Sequence, residues 1–476
     1  MLKAASGVRF EEWFSDTDAS LWLGERDPRL RSTIVSVWVL DRMPDDQEFE
    51  DKLAEAVEEI PRLRQKVVED SLGIAPPRWQ DDPDFDSRFH LRRLHLGGHG
   101  SLPELFALAE PIAMQAFDKD RPLWELYRVA GLEGGRAGII LKLHHAISDG
   151  VGLLKMTESM IEKERNPRSR QRRTPAEPKA LRERTHSSRL LREALAKRIS
   201  SERVGARRAL HSAATLLGNL FSDPARTLRG ARSMLESLAR LLAPLREPLS
   251  PLMRERSPGR ALRGFTLPLA DLQAAARAAG GSVNDVFVTA VTGGLRRYHE
   301  HFGYAVDALQ MMMPINMRGD DEKGKRAGNN FVPARFVVPV GTRDPQQRLA
   351  TIQERVRAQR AEPALSHMDD VMNVLNRLPR PLMDQFMESM VTAIDFVTSN
   401  VPGPRRHSYS SGAKIEQMFP FGPPAGAAMN ITLFSYAGNC HVGINSDRAA
   451  VREPDLLLEC IQKGFVEALA IASDGS

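Results

Sequence analysis

The segment Ala137-Gly138-Ile139-Ile140-Leu141-Lys142-Leu143 is of strand length and apolar except at Lys142. It runs straight into His144-His145-Ala146-Ile147-Ser148-Asp149-Gly150. A short continuous apolar run closed by a turn signal reads as a buried strand, and Asp149-Gly150 supplies the turn. Val151-Gly152-Leu153-Leu154-Lys155-Met156 then reads as the start of a helix. The fold must therefore carry two adjacent imidazoles to a strand–turn–helix junction. Successive strand side chains point to opposite faces, so the two rings should not share a task. His144 is expected to support the core, orient the loop or line the pocket, while His145 looks into a cleft. Asp149 follows across the turn, close enough for its carboxylate to shape the same site.

Plainer readings stay open at this point. A buried histidine is commonly a satisfied core residue, and Asp before Gly is commonly a turn or a helix N-cap. A metal site is disfavoured, because consecutive strand positions cannot easily chelate one ion and neither a cysteine nor a third histidine stands nearby at ligand spacing. Taken whole, HHxxxDG resembles the active-site motif of the chloramphenicol acetyltransferase-like, CoA-dependent acyltransferases, which include the condensation domains of peptide synthetases. That resemblance implies an α/β fold of two such lobes, with mixed sheets flanked by helices and an active site at the lobe interface.

A chain of 476 residues with 42% apolar content is long enough for two cores. The organisation expected is an N-terminal lobe over 1–162, a long, basic, partly helical crossover over 163–262, and a C-terminal lobe over 263–476. Lys163–Arg208 holds 16 Lys and Arg against 5 Asp and Glu, so a net charge of +5 for the whole chain leaves the remainder negative. The basic character is local. Nucleic-acid binding is disfavoured, since the basic segment has no interleaved aromatics and no recognised nucleic-acid module accompanies it. The two cysteines, Cys440 and Cys460, suit a reducing compartment. No signal core opens the sequence and no run reaches transmembrane length, so a cytoplasmic protein touching membranes or lipid droplets only peripherally is expected.

In chain order, Ser15–Ser20 is dense in capping residues and Ser32–Leu40 is a β-branched strand. Asp45–Ile60 has a helical apolar face (Phe49, Leu53, Val57, Ile60), and Pro61–Val67 opens an Arg-rich strand. Leu102–Ala116 reads as a helix, and Pro122-Leu123-Trp124 leads a strand. A helix is expected to end near Lys163. Asn166–Pro178 should be linker, and Ser188–Phe221 regains helical spacing with Leu190, Leu191, Leu195 and Ile199 on one side. That helix either packs on the lobes with a solvated charged face or lies on anionic lipid.

In the second half, Arg263–Leu269 reads as a strand and Asp271–Ala279 as a helix. Ser282 with Asp285 three on looks like a capping box. Asp307–Met317 is a strand leading to Arg318, and helices are expected near Met368–Leu378 and Leu382–Ile394. Met418–Gly422 reads as an apolar turn, Ala427–Tyr436 and Asn439–Asn445 as a hairpin, and Pro454–Ile471 as a closing helix.

Pro122-Leu123-Trp124 ahead of HHxxxDG resembles the bacterial wax ester synthase/diacylglycerol acyltransferase family, which carries a PLW motif there. Ser15–Ser20, Pro61–Lys66, Asn284-Asp285, Gly328–Phe331 and Ser399-Asn400-Val401-Pro402-Gly403-Pro404 are also similar to that family's segments. The resemblance implies transfer of a fatty acyl group from acyl-CoA to diacylglycerol or a long-chain alcohol, with no cofactor besides the co-substrate. It implies His145 as the base, Asn284 as a residue that polarises the oxyanion or places the acceptor hydroxyl, and Asp285 at the channel border. Ser399 and Asn400 would lie on the acyl tunnel's rim, and Arg318 would anchor Asp149, with Gly150 permitting the turn. A non-catalytic lipid-binding protein on the same fold, or a condensation-like transferase using a carrier-bound donor, are the alternatives. The sequence leaves oligomeric state, acyl chain length and acceptor preference open.

Overall fold

The computed structural model describes residues 2–3, 9–70, 72, 74–147, 159–166, 191–200, 202–203, 207, 222–242, 247–316, 331–362 and 392–474. In the first half these include α1 (Asp16–Gly24), β1 (Thr33–Leu40), α2 (Asp46–Glu59), β2 (Leu91–His95), α3 (Leu102–Met114), β3 (Trp124–Ala130) and β4 (Ala137–His144). The helix α4 (Pro224–Leu242) lies in the crossover. Then follow β5 (Arg260–Pro268), α5 (Leu269–Ala278), α6 (Val283–His301), β6 (Ala308–Asn316), β7 (Phe331–Pro339) and α7 (Pro345–Arg360). The chain closes with β8 (Phe396–Pro402), β9 (Tyr409–Ser410), β10 (Ala413–Phe421), β11 (Met429–Tyr436), β12 (Asn439–Asp447) and α8 (Pro454–Leu469).

Local chemistry accounts for the helix starts. The Ser15 side chain accepts the Asp18 N–H at 3.1 Å and Asp45 accepts that of Glu48 at 2.9 Å, each satisfying a donor the first turn leaves free. Ser101 and Glu104 form a reciprocal capping box ahead of α3, as do Ser282 and Asp285 ahead of α6. The buried face of α2 is Phe49, Leu53, Ala56 and Val57, the helical stripe that its sequence spacing dictates.

Two six-stranded mixed sheets result. The first runs β9-β10-β1-β4-β3-β2 and the second β7-β6-β8-β11-β12-β5. Parallel pairing joins β2 to β3 in the first, and β6 to β8 and β8 to β11 in the second. Apolar side chains pack against each sheet, and a separate buried cluster spans the lobes. It brings Val35, Val37, Phe106 and Ile140 of the first half together with Leu262, Phe419 and Phe421 of the second.

Met418–Gly422 is not an apolar turn. Met418–Phe421 belong to β10, which leaves the second half of the chain and pairs antiparallel with β1 of the first sheet, Pro420 opposite Ser36. Two strands of the expected 263–476 lobe, β9 and β10, therefore complete the 1–162 lobe. Proline was misleading here because it normally stays out of interior strands. The short β9 covers only Ala413 and Lys414 of β10, so Pro420 occupies what is locally an edge. Opposite it, Gly443 of β12 is required: a Cβ there would overlap the Pro420 carbonyl oxygen.

Other expectations also shift. The helix expected to reach Lys163 does not, since residues 159–160 form a turn and Glu162 bridges to Tyr409. Pro61–Leu63 is a single 3₁₀ turn, and the strand starts at Gln65. Of the Ser188–Phe221 stretch, residues 191–200 are helical. They dock through buried Ala194 and the Glu193–Arg78 pair at 2.6 Å, leaving Leu195 44% and Ile199 49% exposed. The Met368–Leu378 helix and most of Leu382–Ile394 lie outside the described residues, while Thr392 and Ala393 form a turn.

Candidate active site

The strand β4 is buried at every position from Ala137 to His144. Its one charged side chain, Lys142, is paired with Glu125 at 3.4 Å, and burial lowers the lysine's pKa. β4 pairs antiparallel with β1, Thr33 opposite His144. At its end the chain tightens into a 3₁₀ turn, His145–Ile147, with Ala146 and Ile147 buried.

The two imidazoles differ in burial, His144 at the last strand position and His145 at the first of the turn. His144 is 1% exposed, its ring edge-on to Trp22 at 5.4 Å and to Phe117 at 6.0 Å. Its Nδ1 accepts the Ala146 N–H at 3.0 Å, which places the ring proton on Nε2. Nε2 stands 2.8 Å from Glu25 Oε1. Burial opposes charge on Glu25, but the adjacent His144 ring, the Ser32 N–H and Lys119 outweigh it and hold the carboxyl below its ordinary value. His145, by contrast, is half-buried. Its peptide N–H donates to the Ser32 carbonyl at 2.8 Å.

The Pro122-Leu123-Trp124 triplet is buried throughout and acts on this turn from behind. The Leu123 carbonyl accepts the His144 N–H at 3.0 Å. Trp124, 1% exposed, donates its indole N–H to the Leu63 carbonyl at 2.8 Å and stacks on His90 at 4.5 Å. The Pro61 segment and the PLW segment are thus joined by one hydrogen bond, and Trp124 packs.

In the second lobe, Asn284 is half-buried in the first turn of α6, with Nδ2 directed to Met313 Sδ at 3.4 Å. The Asp285 carboxylate accepts the Ser282 N–H and Oγ–H, each at 2.8 Å. It caps its own helix, whose N-terminus carries positive partial charge. Ser399 is half-buried and Asn400 exposed on β8. Asp149, Gly150 and Arg318 lie outside the described residues. His144, His145, Leu123 and Trp124 form one bonded unit, whereas Asn284 and Asp285 are bonded within the second lobe. Sequence reasoning missed Glu25 and Ser32, which are remote from the motif in sequence and carry no spacing signal toward it.

A surface cleft of about 410 Å³ lined by Glu50, Leu53, Ala54, Ser87, Arg88, Leu91 and Arg93 contains none of these residues. Its arginines are already paired, Arg93 with Glu50 at 3.0 Å and Arg88 with Asp86 at 2.7 Å.

Comparison with known proteins bears on the family and the fold. The model of the wax ester synthase/diacylglycerol acyltransferase catalytic domain matches residues 15–287, and that of the WS/DGAT C-terminal domain matches residues 327–468. A Mycobacterium tuberculosis H37Rv protein named "Putative diacyglycerol O-acyltransferase" is 36% identical over 472 residues, 99% of this chain and 94% of that protein. The wax ester synthase/diacylglycerol acyltransferase from Marinobacter aquaeolei VT8 superposes with a TM-score of 0.64 at 19% identity, over 97% of this chain and 100% of that one. The first condensation domain of the calcium-dependent antibiotic synthetase gives 0.62 at 17% identity, over 97% and 96%. The two-lobed α/β fold is thus shared with both, and the chain belongs to the wax ester synthase/diacylglycerol acyltransferase family of acyltransferases.

Proposed function

We propose that this acyltransferase moves a fatty acyl group from acyl-CoA to the hydroxyl of diacylglycerol or a long-chain alcohol, with His145 as general base in a ternary complex. The observation that carries the reading is the division of the paired imidazoles: His144 is sealed and bonded, while His145 is half-buried in the turn that follows the strand. An imidazole can take and return a proton near neutral pH. His145 removes the hydroxyl proton as that oxygen attacks the thioester carbonyl, and the imidazolium then protonates the departing CoA sulfur. Such general-base assistance is typically worth ~10²–10⁴ in rate. Asn284, at the positive end of α6, is assigned to the developing oxyanion or the acceptor hydroxyl. Asp149 is assigned a structural part with Arg318.

Contact with lipid is proposed to be peripheral, on an anionic surface. No helix among the described residues is long and apolar enough to cross a membrane. α4 exposes Leu228 (63%) and Leu235 (68%), one heptad apart, beside exposed Arg226, Arg229 and Arg232. Apolar insertion with flanking cations is the chemistry that favours anionic bilayers. Sedimentation with phosphatidylcholine vesicles, with and without phosphatidylglycerol, tests it: binding should need the anionic lipid and weaken in Leu228→Asp/Leu235→Asp.

The substrate reading is tested by giving purified protein one acyl-CoA with hexadecanol and, in parallel, with diacylglycerol. Wax ester or triacylglycerol with stoichiometric free CoA supports it. Thioester hydrolysis alone, with neither ester formed, overturns it.

A further inference from the structure

The peptide N–H groups on either side of the His145 Cα are those of His145 and Ala146, and both are held. The first donates to the Ser32 carbonyl at 2.8 Å and the second to His144 Nδ1 at 3.0 Å. Fixing both fixes the direction of the His145 Cα–Cβ bond, and with it where the ring can reach. The two holding groups have one residue in common. Glu25 Oε1 accepts the Ser32 N–H at 2.6 Å and stands 2.8 Å from His144 Nε2. The same oxygen therefore restrains the peptide that grips His145 and the ring that grips Ala146.

We propose that Glu25 is a positioning residue for the transfer reaction, aiming His145 through Ser32 and His144 without touching the reacting atoms. The inference rests on the reading of His145 as base. The Glu25 side chain is only 8% exposed, and burying a carboxylate is costly unless its partners compensate. An apolar side chain would fill this place more cheaply if packing were its whole purpose. Glu25 also sets the His144 tautomer: an acceptor beside Nε2 keeps the proton there and leaves Nδ1 free for Ala146.

The experiment measures kcat, acyl-CoA KM and melting temperature for full-length Glu25→Gln, Glu25→Asp and Glu25→Met, with His145→Ala as reference. Glutamine keeps an acceptor oxygen at the same reach, so its kcat should stay within about threefold of wild type, because the acceptor rather than the charge does the aiming. Aspartate withdraws the oxygen by about 1.5 Å, and misplacement on the order of 1 Å can lower a rate by ~10²-fold. Its kcat should fall at least tenfold with KM unchanged, in protein still folded at the assay temperature. Glu25→Met, similar in length but without an acceptor, should show the same kcat loss and serves if the aspartate variant unfolds. Wild-type kcat in Glu25→Asp or Glu25→Met, or a loss residing in KM, overturns the proposal while His145→Ala remains inactive. Turnover by His145→Ala would instead overturn the base reading, so the two failures are distinguishable.

Discussion

Glu110 on α3 of the first lobe accepts from Arg263 Nη1 on β5 of the second at 3.1 Å. The same carboxylate takes the Leu262 N–H at 3.0 Å and bonds Arg448. Glu110 is 6% exposed. One nearly buried carboxylate thus ties a first-lobe helix to two segments of the second lobe, beside the shared cluster of Phe106, Leu262 and Phe419. Arg263 keeps Asp455 as a second partner and Arg448 is half-exposed, so the main loss on removing Glu110 is the buried Leu262 N–H left unsatisfied, about 1–3 kcal/mol. Glu110→Ala should therefore lower unfolding free energy by about 1–3 kcal/mol in urea titrations, with Glu110→Gln losing less. An unchanged midpoint for Glu110→Ala would show that the lobes are held without it.

Trp124 separates packing from catalysis. Its indole N–H satisfies the buried Leu63 carbonyl, and Trp124→Phe leaves that oxygen unpaired at a cost of about 1–3 kcal/mol. Thermal melting should drop accordingly, while kcat and KM per folded molecule stay near wild type. A variant that melts normally but loses substrate affinity would make Trp124 a substrate contact instead.

His441 gives the fold a specific acid sensitivity. Its ring is 1% exposed between Phe419 and Tyr436, bonded through Nδ1 to Thr266 at 2.8 Å. Burial lowers its pKa to about 4, against about 6.5 in an unfolded chain. Between those values the unfolded chain binds the proton and the folded one does not. Stability from this group is therefore complete above about pH 6.5, falls as pH drops, and levels off below about pH 4, a loss of about 3 kcal/mol. His441→Gln should flatten the stability curve across that window, as read by urea midpoints at successive pH. Parallel curves for the variant and the wild type would contradict this.

How far the sequence announces the molecule depends on the range of the interaction. The helix start at Ser282 was legible because a capping box is written within four residues. The β1 and β4 strands were legible because both are continuous β-branched or apolar runs. Strand alternation anticipated different places for His144 and His145, but the strand ends at His144 and it is the 3₁₀ turn that carries His145 away. β10 was not legible: its partner β1 lies almost the whole chain away, and Pro420 carries a local turn signal that only an edge position excuses. Glu25 was silent for the same reason. Its meaning lies in the Ser32 N–H and the His144 ring, which only the folded chain brings to one oxygen.

The central claim is that His145, the half-buried member of the histidine pair, moves the proton, and transfer by His145→Ala tests it most directly. Ester formation from acyl-CoA with hexadecanol and with diacylglycerol should fall by at least ~10²-fold, at a melting temperature within a few degrees of wild type. Wild-type ester yield from a folded His145→Ala protein would contradict the account.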